Sequence, residues 1–207
     1  MSLNLSDVVN HPSYLVFFRI TAQPPINHAQ LISSVAAGDR DAFRALYEQF
    51  AGRVYNTALS YLQDKQDAEE VTQDVFVTIY RQAGSFRGDS ALSTWIYRIA
   101  ANAAINYRRK RRKFTVFSIE DKEAQSGLTD FRHPGVQLEH SEQAAHLFKA
   151  VEALPDKQKM AFVLSYVENL PRQEVADVME MSLKAVESLL MRAKSTLRKK
   201  LEKMRQA

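Results

Sequence analysis

The chain has 207 residues, 45% of them hydrophobic and 25% charged, which is enough for one large domain or two small ones with real cores. Its formal net charge is +4 and its pI about 9.2, so the distribution of charge says more than the sum. It has no cysteine, which excludes disulfides and thiolate chemistry and suits a reducing cytoplasm, and no apolar run approaches the roughly 18 residues of a membrane span.

Residues 1–26 carry weak signals. His11-Pro12 and Pro24-Pro25 break helices, and the segment reads as a poorly ordered extension. Its apolar patch Tyr14–Phe18 leaves docking on a partner open, as it does a misassigned start. From Asn27 the pattern becomes helical. Asn27 or His28 opens a first helix with Leu31, Ile32, Val35 and Ala36 periodic, and Gly38-Asp39 ends it. Asp39 caps a second, whose core positions are Ala42, Phe43, Leu46, Tyr47, Phe50, Val54, Tyr55, Ala58, Leu59 and Leu62. Asp64 or Asp67 starts a third, running to about Ala83 and stopped by Gly84. Its core face is Ala68, Val71, Val75, Phe76, Ile79 and Tyr80. Its first turns hold Asp67, Glu69, Glu70 and Asp74. Acid near a helix N-terminus is stabilising in itself; an acidic face for a basic partner is the alternative.

A polar loop around Gly88 leads into the fourth helix, which ends in six consecutive cations, Arg108–Lys113. On a helical wheel Leu92, Ile96, Ile99, Ala100, Ala103 and Tyr107 form the buried side. Trp95, Arg98, Asn102, Asn106 and Arg109 form a separate stripe. An aromatic stacks on a base, an amide hydrogen-bonds a base edge, and a guanidinium holds a phosphate. A solvated polar face is the plain alternative. The basic run reads as a clamp on the nucleic-acid backbone.

Residues 114–140 lose the periodicity and contain Gly127, Pro134 and Gly135, the composition of a flexible linker. A second helical block starts near Ser141. Its first helix carries Ala144, Ala145, Leu147, Phe148 and Val151, and its second, Asp156–Glu168, carries Met160, Phe162, Val163 and Tyr166. Asn169-Leu170 makes a turn, Pro171 opens a short helix to Met179, and Ser182 caps a last helix to about Met204. Residues 172–191 have helix-turn-helix spacing. Ala176 lets two helices cross, and Val175, Met179, Met181, Val186, Leu189 and Leu190 supply the shared core. The second helix presents Lys184, Glu187, Ser188, Met191 and Arg192 outward. Glu180 stands in the tight turn, where a left-handed backbone favours glycine. From Lys184 to Ala207 there are eight cations and two anions, a net +6 that suits phosphate contacts.

The chain has no GxxxxGK[ST] and no GxGxxG. His140 and His146 are six apart, on different helix faces, which does not make a zinc pair. No nucleophile triad stands out and no metal or cofactor is expected. Nothing reads as an enzyme.

Four stretches now carry a resemblance: DAEEVTQDVFVTIYR (67–81), SFRGDSALSTWIYRIAANAAINYRR (85–109), LPDKQKMAFVLSYVENLPRQEVADVM (154–179) and AVESLLMRAKSTL (185–197). Together they resemble bacterial RNA polymerase sigma factors of the extracytoplasmic-function group of the sigma-70 family. The likeness covers roughly residues 28–113 and 141–203, two motif blocks in the right order with the right gap. It implies an all-α fold of two small helical domains, a helical bundle at 27–113 (sigma region 2) and a helix-turn-helix domain at 141–207 (sigma region 4). The linker is then 114–140. It implies binding to core RNA polymerase, through the coiled coil of the largest subunit and the flap of the second largest. Matching positions give Asp67, Glu70, Gln73, Asp74 and Val77 as polymerase contacts. Phe86, Arg87, Trp95, Arg98, Asn102, Asn106 and Arg109 match the minus-ten contacts, with loop 85–90 as a pocket for an extruded base. Lys184, Glu187, Ser188, Met191, Arg192 and Lys194 match the minus-thirty-five contacts. Glu187 and Leu189 depart from the basic residues common there, although Glu can accept a hydrogen bond from cytosine. The resemblance further implies an anti-sigma partner, a cytoplasmic location and no membrane insertion. A stand-alone helix-turn-helix regulator is the alternative, and it would not need residues 67–81 or 95–106.

Overall fold

The structure is a computed structural model that describes residues 27–117 and 149–206. The N-terminal extension with its Tyr14–Phe18 patch, residues 118–140 of the expected linker, and the expected helix start from Ser141 to Phe148 lie outside the described residues.

Every regular element among the described residues is helical. Helix α1 spans His28–Ala36 and is capped by Asn27, whose Oδ1 accepts from the Ala29 and Gln30 amides at 3.1 and 3.3 Å. Gly38, at φ 87°, supplies the left-handed residue that turns the chain into α2. Helix α2, Arg40–Leu62, is capped by Asp39, which accepts from the Asp41 and Ala42 amides at 2.9 and 3.1 Å. Helix α3, Lys65–Gln82, is capped by Asp64, not Asp67: the Asp64 carboxylate takes the Asp67 amide at 3.0 Å. Each such cap stabilises its helix by about 1 kcal/mol. A 3₁₀ turn, Ala83–Ser85, follows. Helix α4 runs from Leu92 to Phe117, four residues beyond the basic run.

Leu46, Phe50, Val54, Val75, Ile79, Leu92 and Ile96 close the core of this first block. Burying each larger one contributes about 1.5–3 kcal/mol. Buried Ala58, Ala68, Ala100 and Ala104 allow the helices to approach closely. Three expected core positions are on the surface. Tyr47 and Tyr80 are about half exposed and Ala36 is exposed, because no further helix among the described residues covers that side of α1, α2 and α3. Tyr47 and Tyr80 lie instead on Phe76 and Phe43, with ring centroids 4.6 and 5.3 Å apart.

In the second block, residues 149–152 are helical and bury Ala150 and Val151. Helix α5, Asp156–Phe162, widens into a π-helical turn over Val163–Val167, and Asn169, at φ 54°, turns the chain. Tyr166, expected in the core, lies at the surface. Helix α6, Arg172–Met179, and helix α7, Leu183–Gln206, form the helix-turn-helix. Ser182 caps α7 by accepting the Ala185 amide at 3.3 Å. The turn between them is left-handed at Glu180, φ 52° and ψ 47°.

The two blocks pack on each other and share apolar core, with α6 and α5 against α4. Helix α4 is therefore buried on a second side, through Tyr97, Ala101 and Arg108, which the helical wheel does not indicate.

Candidate polymerase and nucleic-acid interfaces

Helix α3 carries the acidic face. Glu70, Gln73, Asp74 and Val77 are all exposed and lie on one stripe at spacings of three and four. Tyr80 extends the stripe by one turn, so a surface of mixed acid and aromatic character runs along α3. Helical spacing alone assigned Tyr80 to the core; its place on the stripe of Gln73 and Val77 was the signal for the other reading. Asp67 behaves differently. It is buried, accepts a hydrogen bond from Tyr107 Oη at 2.9 Å and pairs with Arg111. Tyr107 Oη also reaches Glu70 at 2.9 Å. Burial, then Glu70, pushes the Tyr107 hydroxyl up to about 12.

Helix α4 carries the aromatic and amide stripe. Asn102 and Asn106 are exposed one turn apart, where neither is needed for packing. Trp95 is half-buried and rests against Phe86 at a centroid distance of 5.4 Å and an interplanar angle of 59°. This contact ties the loop after the 3₁₀ turn to the helix, with Gly88 at φ 78° shaping the loop and Arg87 exposed. A base could enter beside the Trp95 ring, where the amides of Asn102 and Asn106 follow along the same stripe.

Arg98 does not stand free on this stripe. Its Nη2 donates to the Asp177 carbonyl at 2.8 Å, and its Nη1 lies 3.3 Å from the Glu180 carboxylate. The basic run is divided as well. Arg108 is buried. It donates to the Glu152 carbonyl and carboxylate at 2.8 and 2.7 Å and pairs with Asp156 at 3.3 Å. Arg109 and Arg112 lie at 3.8 and 3.5 Å from Asp156, and Lys110 is exposed. A clamp made of the whole run is therefore not what the geometry offers; Arg108 is an internal strut.

Beneath that strut, Lys159 is fully buried, paired with Glu152 and set 5.2 Å from the centre of the Tyr61 ring. Burial pulls its ammonium down to about 8, with Glu152 opposing. Toward the start of α4, Tyr97 Oη donates to Glu168 at 3.0 Å across the blocks, and burial raises both groups. Tyr61 and Lys159, both fully buried, escaped the sequence reading because charged and isolated aromatic positions read as surface.

On α7, Lys184, Glu187 and Met191 are exposed and Ser188 is half-buried on the outward face, with Met191 67% exposed. Arg192 is also exposed; its Nε donates to the Ser188 carbonyl at 3.2 Å. Lys194 lies over the Tyr166 ring at 5.0 Å, which directs it away from that face. The early turns of a recognition helix thus offer hydroxyl, carboxylate, thioether and cations to a major groove. Among the described residues no three His, Cys, Asp or Glu side chains are placed to hold a metal ion, and no helix is long and apolar enough to cross a membrane.

The family model for Sigma-70 region 2 matches residues 46–114, and that for Sigma-70, region 4, matches residues 147–197. RNA polymerase sigma-H factor of Pseudomonas aeruginosa is 32% identical over 179 residues, 84% of this chain and 93% of that protein. ECF RNA polymerase sigma-E factor of Escherichia coli K12 is 32% identical over 178 residues, 83% of this chain and 93% of that protein. Among solved structures, CnrH in complex with the cytosolic domain of CnrY has a TM-score of 0.60 at 22% identity, over 84% of this chain and 96% of that one. The sigma factor RpoE in complex with the anti-sigma factor NepR from Bartonella quintana has a TM-score of 0.61 at 19% identity, over 77% of this chain and 96% of that one. These two show the same fold. The chain belongs to the extracytoplasmic-function group of the sigma-70 family and is an RNA polymerase sigma factor that directs transcription initiation.

Proposed function

We propose that the exposed stripe of α3 and the stripe of α4 divide the work of the first block. Glu70, Gln73, Asp74 and Val77 dock on the coiled coil of the largest polymerase subunit. Trp95, Arg98, Asn102 and Asn106 hold the non-template strand of the minus-ten element as it melts. Phe86 and Arg87 line the place taken by an extruded base, and Arg109 meets the backbone beside it. Unstacking that base costs a few kcal/mol, which stacking and base-edge hydrogen bonds offset.

The helix-turn-helix reads the minus-thirty-five element as duplex through Lys184, Glu187, Ser188, Met191 and Arg192, with Lys194 toward the backbone, and the same block meets the flap of the second-largest subunit. The first block spans 27–113 and the second 141–207. The chain has no catalysis of its own; it works in the cytoplasm and is held in check by an anti-sigma protein. A structural neighbour of the same fold, RpoE, was captured with the anti-sigma factor NepR, which supports the last of these.

The observation that carries this reading is the exposure of Asn102 and Asn106 one turn apart on a helix whose other residues from Leu92 to Arg108 are buried or half-buried. The test is transcription reconstituted from core polymerase and this chain. Asn102→Ala should reduce open-complex formation on a duplex promoter while leaving core binding unchanged, and a pre-melted promoter should restore much of the activity. Equal loss of core binding and opening would refute the assignment.

A further inference from the structure

Three of the six large hydrophobic side chains exposed among the described residues lie together: Tyr47 of α2 and Val77 and Tyr80 of α3. With Phe43 and Phe76 the two tyrosines form a cluster of four rings across α2 and α3. Ring centroids are 4.6 Å apart for Tyr47 and Phe76, 5.3 Å for Phe43 and Tyr80, and 6.3 Å for Phe43 and Phe76. The cluster is one layer of a core with no second layer upon it among the described residues, and an apolar patch of that kind marks a place for a partner. The same chain carries a segment that fits. Tyr14–Phe18 is a run of five apolar side chains, and the only charges in residues 1–26 are Asp7 and Arg19, which cancel. Segments that stay solvated are charged and poor in aromatics, the opposite of this one.

The tether is long enough and starts in the right place. Helix α1 begins against the middle of α2: His28 Nε2 lies 2.9 Å from Gln49 Nε2, and the His28 ring lies 5.9 Å from the Phe50 ring. Along α2, Tyr47 is one turn back from Phe50 and Phe43 is about 10 Å back. Helix α3 packs on α2 at the usual distance of about 8–10 Å. The whole cluster therefore lies within about 20 Å of the point where residues 1–26 join α1. Residues 19–26 span up to about 29 Å when extended, the conformation that Pro24-Pro25 favours. Charge agrees with reach. Arg19 closes the apolar run, while Glu48 beside Tyr47 and Asp74 just before Phe76 are both exposed.

We propose that Tyr14–Phe18 docks on the ring cluster of Phe43, Tyr47, Phe76 and Tyr80 and there competes with core polymerase. The competition rests on the reading of the α3 stripe as the polymerase face; the docking does not. Val77 stands on that stripe and Tyr80 one turn along it, so a segment lying on the rings covers the end of the stripe. A face covered for about two-thirds to nine-tenths of the time binds its partner about three- to tenfold more weakly than a bare one. The segment thus sets how readily this chain is taken up by polymerase, and it accounts for two tyrosines at core spacing that no described element covers.

The chain has no native cysteine, so Ser13→Cys, at the edge of the apolar run, takes a single nitroxide. In the full-length chain that label should broaden the amide signals of residues 43–48 and 76–81 and spare those of 184–192. Phe17→Asp in the same labelled chain should restore them. No broadening at 43–48 and 76–81, or broadening that Phe17→Asp leaves in place, would overturn the docking. Isotope-labelled chains without nitroxide, mixed with nitroxide-labelled chains without isotope, test for a second copy: equal broadening between chains would overturn docking within one chain. Affinity for core polymerase is the second measurement. Phe17→Asp, and separately removal of residues 1–20, should raise it about three- to tenfold. Unchanged affinity in both, beside the expected broadening, would overturn the competition. Asp74→Lys keeps the two readings apart. If it too leaves polymerase affinity unchanged, the α3 stripe is not the polymerase face and the competition falls with it, while the broadening still decides the docking.

Discussion

Lys159 and Tyr61 meet across the two blocks, the fully buried ammonium 5.2 Å from the centre of a fully buried phenol ring. Glu152 pairs with the ammonium, while Arg108 and Arg112 bring like charge near it. Burial is the largest effect and lowers the Lys159 pKa from 10.5 to about 8. The unfolded chain therefore binds more protons than the folded one between those values, and stability contributed at this site rises with pH across the window. Replacing the lysine by an apolar side chain removes the desolvation cost, which is of order 3 kcal/mol at neutral pH. Lys159→Met is expected to be more stable than the parent near pH 7, with an advantage that shrinks by about 2 kcal/mol by pH 9.5. Urea melts of both chains across that range check it. The window stops short of pH 10, where Tyr61 and Tyr97, both raised by burial, begin to act in the opposite sense.

The bond between Tyr97 and Glu168 is the next to test. Tyr97 is 5% exposed and donates to a carboxylate whose pKa is itself raised, by burial first. Tyr97→Phe keeps the ring packing and removes the only donation the tyrosine makes there. A carboxylate losing a partner in a desolvated place costs about 1–3 kcal/mol. Thermal unfolding should show that loss at pH 7. It should narrow at lower pH, because a raised carboxylate pKa means that the folded state takes up its proton first, so the orphaned group is neutralised there.

What the sequence offered and what it withheld divide along range. The caps Asn27, Asp39 and Ser182, the left-handed turn at Glu180, and the exposed amides Asn102 and Asn106 are all local features, set by neighbours within a turn or two. They were legible. The places of Arg98, Arg108 and Lys159 were not. Arg108 finds Glu152 44 positions away and Arg98 finds Asp177 79 positions away, and no period encodes such pairs. A run of six cations reads as one surface, yet the fold buries its first member. Tyr47 and Tyr80 failed for the opposite reason: their spacing was that of a core, but no further layer among the described residues covers them.

For the duplex-reading surface the sharpest residue is Arg192, which is exposed on α7 and anchored only to the backbone of its own helix, through the Ser188 carbonyl at 3.2 Å. Its guanidinium is available to a base edge or a phosphate. Arg192→Ala should weaken upstream promoter binding by about 1–3 kcal/mol if it reads a base, with relaxed discrimination at one position. If it holds a phosphate, the loss is uniform across sequences and the salt slope falls by about one. Holoenzyme binding to promoter variants at several salt concentrations separates the two, and unchanged affinity would remove Arg192 from the interface.

Asp67 and Asp74 look alike in the sequence but differ in the fold, and that difference makes a last prediction. Asp74 is exposed on the α3 stripe, while Asp67 is 9% exposed and committed to Tyr107 and Arg111 of α4. Asp74→Lys reverses charge on the proposed docking face without touching the core. It should lower affinity for core polymerase at least tenfold with little change in melting, since surface substitutions usually stay within about 0.5 kcal/mol. Asp67→Asn keeps the shape but weakens a charge-assisted bond and an ion pair, so it should cost about 1–2 kcal/mol of stability. At a temperature where that variant is fully folded, its polymerase affinity should stay near the parent value. A pull-down against core polymerase beside a melting curve for each variant decides it. If Asp67→Asn loses polymerase binding while its melting is unchanged, then Asp67 turns outward to the partner, and the contact with Tyr107 is given up on docking.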